Sequence, residues 1–219
     1  MKYNSFVVFG LGKFGQAVAD KLIESGAQVM VVDNSEDIIE AYSSKATTAI
    51  VADLTDTSAI KAIGISHVEC AVVAMGSSLE ASIMCTMIAK ESGIKLVVAK
   101  AGNERMGQVL KRIGADQIIF PEEESGIRTA KSLIASDFLE YFEINEDLCL
   151  VEMEPKEKWI GKTLKELDLR KKYGANIIAI KNGIVKDFVD PDLPLKADAP
   201  LLILIHKKNL EKLDKNIVF

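Results

Sequence analysis

Four residues near the amino terminus have the types and spacing to hold a phosphorylated sugar. Gly10, Gly12 and Gly15 form a Gly-x-Gly-x-x-Gly turn directly after the apolar run Phe6–Phe9, and Asp33 closes the next apolar run, Val29–Val32. The glycines serve different ends. Gly10 permits the tight turn, Gly12 lets backbone approach a phosphate, and Gly15 lets the following helix pack close to the strand. That helix carries Phe14, Val18, Leu22 and Ile23 at helical spacing, and its first turn offers unpaired N–H groups and a partial positive charge to an anion. Asp33 stands where a carboxylate accepts ribose hydroxyls. Strand, glycines, helix, strand and acid in this order point to a nucleotide; the bland alternative is a tight strand-to-helix turn that binds nothing.

Groups for covalent or acid–base chemistry do not accompany this turn. Tyr3, Tyr42, Tyr141 and Tyr173 are followed four positions later by Val7, Ala46, Asn145 and Ile177, so none begins the Tyr-x-x-x-Lys pair of a short-chain dehydrogenase. Gly161-Lys162-Thr163 lacks the upstream glycine and strand of a Walker turn. Cys70, Cys85 and Cys149 are far apart with no CxxC, and His67 and His206 are the only histidines, which reads as reduced thiols and no zinc site. Binding without reaction suggests a sensor rather than an enzyme. Two other readings stay open: an NAD(P)-dependent oxidoreductase with an unrecognised substrate domain, and a scaffold whose cleft is vestigial.

The elements that must position these residues alternate through the first 120 positions. Apolar runs at Phe6–Phe9, Val29–Val32, Thr48–Val51, Cys70–Ala74, Leu96–Ala99 and Gln117–Phe120 are separated by helical stretches, the pattern of a parallel sheet covered on both faces. Ligands of such sheets sit beyond the carboxyl ends of the strands. Gly10–Gly15, Asp33, Asp53, Met75, Gly76, Lys100 and Glu122 are therefore predicted to line one rim. Between Ser78 and Ser92, the spacing of Leu79, Ile83, Met84, Met87 and Ile88 is that of a core face. Glu122, Glu123 and Glu124 suit a helix start, and the apolar tract beyond them (Ile127, Ala130, Leu133, Ile134, then Phe138, Leu139, Tyr141, Phe142) reads as further helix seeking a second copy of itself.

From about Asp147 the texture changes. Leu148–Met153 alternates as a strand through Leu148, Leu150 and Glu152; Gly161–Arg170 reads as a short helix, Ala175–Ile180 and Leu201–Ile205 as strands, and Lys207–Lys215 as a helix. Gly183, Pro191, Pro194 and Pro200 mark turns. The predicted fold class is α/β, a Rossmann-type doubly wound parallel sheet of about six strands, with a smaller α+β carboxyl-terminal domain. The boundaries are 1–120 for the nucleotide-binding domain, 121–146 for crossover and dimerisation helices, and 147–219 for the second domain.

With 219 residues, 48% hydrophobic and 27% charged, the chain buries a full core. Its net charge of −5 is uneven: residues 1–146 hold 13 Lys/Arg against 20 Asp/Glu, and residues 147–219 hold 14 against 12. That balance argues against a nucleic-acid partner. Met1 leads almost at once into the first strand, leaving no room for a signal peptide. Runs such as Leu201–Ile205 fall far short of a bilayer span. The expectation is a soluble chain whose membrane role is exercised through a partner.

The residues also resemble a known family. Val8–Gly15 with Val31-Val32-Asp33, Ala52-Asp53, Val73–Gly76, Val98–Ala101 and Gly114–Glu122, followed by Ile160–Arg170 and Tyr173–Ile180, are similar to the RCK (KTN) regulators of potassium channels and transporters. The similarity is closest to the TrkA-type cytosolic regulatory subunits of Ktr and Trk potassium uptake systems. It implies a homodimer that assembles into an octameric ring, docked under a separate membrane potassium transporter at the inner face of the cell membrane. ATP, ADP or NAD(H) in the cleft would change the ring's shape and gate potassium flux. Carried over by position, Gly10, Gly12 and Gly15 approach the phosphates, Asp33 takes the ribose and Asp53 flanks the adenine, with Leu11, Lys13, Phe14, Asn34 and Leu54 beside them in the cofactor site. Met75, Gly76, Lys100, Ala101 and Glu122 complete the set. Lys13 replaces the Arg common in members that prefer ATP and keeps charge without the bidentate fork. Glu122 matches a position where some members hold a divalent cation between subunits. In the second domain, Leu167, Asp168, Leu169, Arg170, Ile177 and Ile178 match the cyclic di-AMP site of some members; the bland reading is an apolar dimer seam edged by charge.

Overall fold

The computed structural model describes residues 3–134, 138–182, 184–186 and 189–213. The chain divides into two compact units, Met1–Glu124 and Ser125–Phe219.

In the first unit, strands and helices alternate as β1 (Ser5–Phe9), α1 (Lys13–Glu24), β2 (Gln28–Asp33), α2 (Glu36–Tyr42), β3 (Thr48–Val51), α3 (Thr57–Ala62), β4 (Cys70–Val73), α4 (Leu79–Glu91), β5 (Leu96–Lys100), α5 (Glu104–Arg112) and β6 (Gln117–Ile119), followed by the start of α6 (Pro121–Ile134). The six strands form one sheet in the order β3-β2-β1-β4-β5-β6, and every pairing is parallel. Val8 pairs with Val31 on one side and Val72 on the other. Central position explains the apolar run of β1: Val7 and Phe9 enter the core on one face, Val8 and Leu11 on the other, and all four are fully buried. The order of strands reverses between β1 and β4, and a crevice opens at that switch point beyond the strand ends.

Helix starts in this unit are set by short polar side chains. The Asp56 carboxylate accepts from Ser58 N–H at 2.8 Å, the Ser78 hydroxyl from Ala81 N–H at 3.3 Å, and the Asn103 carbonyl from Met106 N–H at 2.9 Å. Helices α1 and α2 differ: they start at Gly12 and Ser35 with no side-chain cap. Helix α4 buries part of the face its spacing predicts: Ile83, Met84 and Ile88 pack in the core, and the polar Ser82 and Thr86 are buried as well. Ala81, Cys85, Ile88 and Ala89 are buried and Met84 packs against them, but Leu79 and Met87 are exposed.

In the second unit, β7 (Phe138–Glu143), β8 (Leu148–Met153), α7 (Leu164–Leu167), α8 (Leu169–Tyr173), β9 (Asn176–Asn182), β10 (Ile184–Lys186), β11 (Leu201–His206) and α9 (Leu210–Leu213) follow one another. The strands form an antiparallel sheet in the order β10-β9-β11-β8-β7. Its core uses Cys149, Val151 and Met153 of β8 and Leu201, Ile203 and Ile205 of β11, closed by Trp159, Leu169 and Leu210. The buried residues of β8 are thus chiefly the partners of Leu148 and Leu150 in the alternation.

Three sequence expectations change here. The 121–146 segment is not a run of helices, because residues 138–143 form β7 against β8. A register shift between Phe138 and Glu140 breaks the two-residue alternation and leaves Phe138, Leu139, Tyr141 and Phe142 at helix-like spacing. The helix expected over Gly161–Arg170 is split at Asp168, whose φ of +46 places it in the left-handed region between α7 and α8. After His206 a 3-10 turn precedes α9; Gly183 and Lys215 lie outside the described residues.

Candidate functional site

At the end of β1 the chain must leave the sheet at once. The Gly10 N–H still donates to Val32 at 2.8 Å, and the Ala74 N–H to Phe9 at 2.8 Å, so both neighbours hold the strand to its last residue. Gly10 then takes φ +87, and a Cβ there would lie 2.5 Å from Met75 Cγ. At Gly15 a Cβ would fall 1.9 Å from the Gly10 carbonyl oxygen and 3.2 Å from Ala74 Cβ. Close packing of α1 on the turn therefore admits no side chain at this position. Gly12 is the reverse case, with nothing within 4 Å of a Cβ; it faces the cleft and leaves room for a ligand atom against the backbone.

The turn is clamped from both sides at Leu11. Its N–H donates to Asp33 Oδ2 at 2.6 Å, and its carbonyl accepts from Gln16 Nε2 at 2.8 Å. The other oxygen of Asp33 accepts from the Ser35 N–H at 3.0 Å. A carboxylate has about four lone-pair sites, so Asp33 holds the loop and keeps acceptor capacity for a hydroxyl. Gln16 is in turn tied to α2, because Tyr42 donates its hydroxyl to the Gln16 carbonyl at 3.4 Å. Burial, with a contribution from Asp20, pushes the Tyr42 hydroxyl up to about 12.

The rest of the crevice is built from the ends of β3, β4 and β5. Asp53 Oδ1 accepts from the Thr55 N–H at 2.9 Å and the Thr55 hydroxyl at 2.7 Å, which hold its carboxyl below the ordinary value. Lys100 Nζ donates to Glu122 Oε1 at 2.5 Å and lies 5.7 Å from the centre of the Phe14 ring. The lysine holds the Glu122 carboxyl below its ordinary value.

These ends enclose a cleft of about 630 Å³ lined by Gly10, Gly12, Asp33, Asn34, Asp53, Leu54, Met75, Gly76, Lys100 and Glu122. Five other candidates are not among its lining residues. Leu11 is fully buried in the core and its N–H is taken by Asp33; Ala101 is 1% exposed, with its N–H on Ile119. Gly15 is spent on packing, Phe14 is partly buried with its ring beside Lys100, and Lys13 projects to solvent from the first position of α1.

Thr55, Ser77, Ser78 and Gly102 also line the cleft, beyond the residues expected from the sequence. A signal for two of them was present, since Ser77-Ser78 follows Gly76 at the β4 end and Ser78 is the sort of residue that caps a helix. Gln16 carries no comparable signal.

Cys70 and Cys85 are buried, and burial pushes their thiols up to about 11 and about 12. His67 and His206 are exposed on other elements. Among the described residues no three His, Cys, Asp or Glu side chains gather as a metal site, and Glu122 is paired with Lys100.

In the second unit a recess of about 280 Å³ is lined by Asp168, Leu169, Arg170 and Ile177 together with Leu164, Ala175, Asn176, Val189 and Pro191. Leu167 is buried in the core beside it, and Ile178 is 42% exposed and absent from the lining. Four of the six residues named for a second ligand are thus brought together.

Residues 6–121 match the TrkA-N domain and residues 149–218 the TrkA-C domain. The chain is 40% identical over 180 residues to the Ktr system potassium uptake protein C of Bacillus subtilis (strain 168), covering 82% of this chain and 81% of that protein. It is 34% identical over 215 residues to the Ktr system potassium uptake protein A of the same organism, covering 98% and 97%. With the Ktr system potassium uptake protein A of Vibrio alginolyticus it shares 36% identity over 204 residues, covering 92% and 91%. Among solved structures, the GsuK RCK domain aligns with a TM-score of 0.62 at 16% identity, and a GsuK channel bound to NAD with 0.61 at 16%. Both alignments cover 99% of this chain, which spans only 48% and 40% of those chains. At that identity they speak for the fold. No helix among the described residues is long and apolar enough to cross a membrane. The chain belongs to the family built from a TrkA-N and a TrkA-C domain, with the Ktr potassium uptake proteins among its relatives.

Proposed function

We propose that this chain is a nucleotide-sensing regulatory subunit of a membrane potassium transporter. The observation that carries the reading is the pairing of Gly12 and the uncapped start of α1 with a cleft that holds Asp33, Asp53 and Lys100. An anion beside Gly12 meets free helix N–H groups, a ribose meets Asp33, and an adenine lies by Asp53 and Leu54. The Ktr relatives supply the potassium transporter. ATP, ADP and NAD(H) are the candidate ligands, and the GsuK channel bound to NAD favours keeping the dinucleotide among them.

Copies of the chain would pair and assemble as an octameric ring at the inner face of the membrane. Magnitudes favour several sites acting together: reversing a switch takes about 5.5 kcal/mol, whereas one site couples by about 1–3 kcal/mol. A divalent cation at Glu122 would compete with Lys100 and needs ligands from a second subunit. Cyclic di-AMP would use Arg170 for a phosphate and Ile177 for an adenine. A thermal-shift panel of ATP, ADP, NAD, NADH and cyclic di-AMP tests the reading. Stabilisation by an adenine nucleotide with no consumption of it supports the reading; indifference to all five, or turnover with a small carbonyl substrate, refutes it.

A further inference from the structure

A residue outside the glycine motif controls how the turn faces the cleft. Gln16, half-buried one turn into α1, holds two successive carbonyls of the turn. Its backbone N–H donates to the Gly12 carbonyl at 2.9 Å, and its side-chain Nε2 donates to the Leu11 carbonyl at 2.8 Å. The first bond belongs to any helix start. The second exists only because residue 16 carries an amide long enough to reach back, and it draws the Leu11 oxygen toward α1.

Direction matters here because a peptide unit is planar and trans. The Leu11 C=O and the Gly12 N–H lie on opposite sides of the bond they share, so a carbonyl turned to Gln16 turns the N–H the other way. Gly12 lines the cleft, and among the described residues no protein acceptor takes its N–H. Little else fixes this plane. Gly12 stands at φ −64, yet without a Cβ it populates positive φ about as readily, and Asp33 clamps only the preceding peptide, through the Leu11 N–H. Turned over, the plane would exchange its two ends, and the negative end of a carbonyl would face an incoming anion.

We propose that Gln16 is a positioning residue for the nucleotide: its side-chain amide holds the Leu11–Gly12 peptide in the orientation that keeps the Leu11 oxygen out of the cleft, and so keeps the turn receptive to an anion. This rests on the nucleotide-binding reading. Gln16 does not itself line the cleft, and it acts through the backbone of the turn.

Calorimetric titration of the full chain with ADP and ATP tests this in wild type, in Gln16→Met, which keeps the length without a donor, and in Gln16→Asn, which keeps the amide but falls a methylene short. Each is first checked for a wild-type melting transition. Both variants should bind about two- to tenfold more weakly, the worth of one neutral hydrogen bond. A spectroscopic readout separates positioning from general loosening: Leu11–Gly12 is the only Leu-Gly step in the chain, so isotopic labelling of leucine carbonyl carbons and glycine nitrogens gives this one peptide its own resonance. That resonance should move or broaden in both variants and return toward its wild-type position when nucleotide saturates them. Unchanged affinity in both variants, or weakened affinity with the resonance unmoved, would overturn the role of Gln16 while leaving the nucleotide site standing. Wild type that binds neither ADP nor ATP would remove the nucleotide site itself, and the proposal with it.

Discussion

The carboxylate of Asp33 at the end of β2 accepts the backbone N–H of Leu11 in the glycine turn at 2.6 Å. One residue therefore serves two purposes, fixing the turn that follows β1 and presenting oxygen to the cleft. Asp33→Ala should lower nucleotide affinity by roughly 1.5–3 kcal/mol, the worth of a hydrogen bond to a charged group, while Asp33→Asn, which keeps an acceptor for Leu11, should lose less. Calorimetric titration of the two variants checks the order.

Gly12 and Gly15 separate binding from folding. Gly15→Ala places a methyl 1.9 Å from the Gly10 oxygen and should destabilise the first unit by roughly 2–4 kcal/mol, seen in urea unfolding. Gly12→Ala meets nothing within 4 Å and should unfold like wild type, yet lose nucleotide binding because its methyl fills the space a phosphate needs.

Acid should weaken the first unit in a defined window. Four carboxyls there have folded values below the ordinary ones: Asp53 through Thr55, Glu69 through Lys95, Glu122 through Lys100, and Asp116 because the Val97 N–H and Lys90 together outweigh a burial that raises it. A lowered folded value contributes stability that is present above the unfolded value and lost as pH falls through the folded one. Urea midpoints should therefore be flat on this account near neutral pH and fall below the ordinary values of 3.8 for aspartate and 4.5 for glutamate. Asp116→Asn should flatten part of that slope; a fall centred near neutral pH would contradict the assignment.

Thiol labelling should report unfolding. Cys70, Cys85 and Cys149 are all buried and so shielded from reagent, and burial raises the Cys70 and Cys85 thiols so that they supply little thiolate. Iodoacetamide at neutral pH should leave the native chain unmodified and label all three in urea, read by intact mass.

The sheet of the first unit was legible because strands buried on both faces read as unbroken apolar runs, and β1, β4 and β5 fall where those runs lie. Asp33, Asp53, Gly76, Lys100 and Glu122 stand at or just beyond the ends of β2, β3, β4, β5 and β6, where the alternation of runs put them, and all five line the cleft. What the sequence hid was of two kinds. Contacts made through backbone, such as Gln16 and Asp33 on Leu11, leave no pattern in residue types. Strand β7 was obscured because its register shift next to Phe138 makes Phe138, Leu139, Tyr141 and Phe142 fit a helix as well as a strand.

The most direct measurement is equilibrium titration of the purified chain with ATP, ADP, NAD and NADH, followed by chromatography of the recovered ligand. Saturable binding that Gly12→Ala abolishes, with the nucleotide recovered unaltered, is the predicted result. Binding that survives Gly12→Ala, chemical conversion of the ligand, or no binding of any of the four would contradict a sensing cleft at the end of β1.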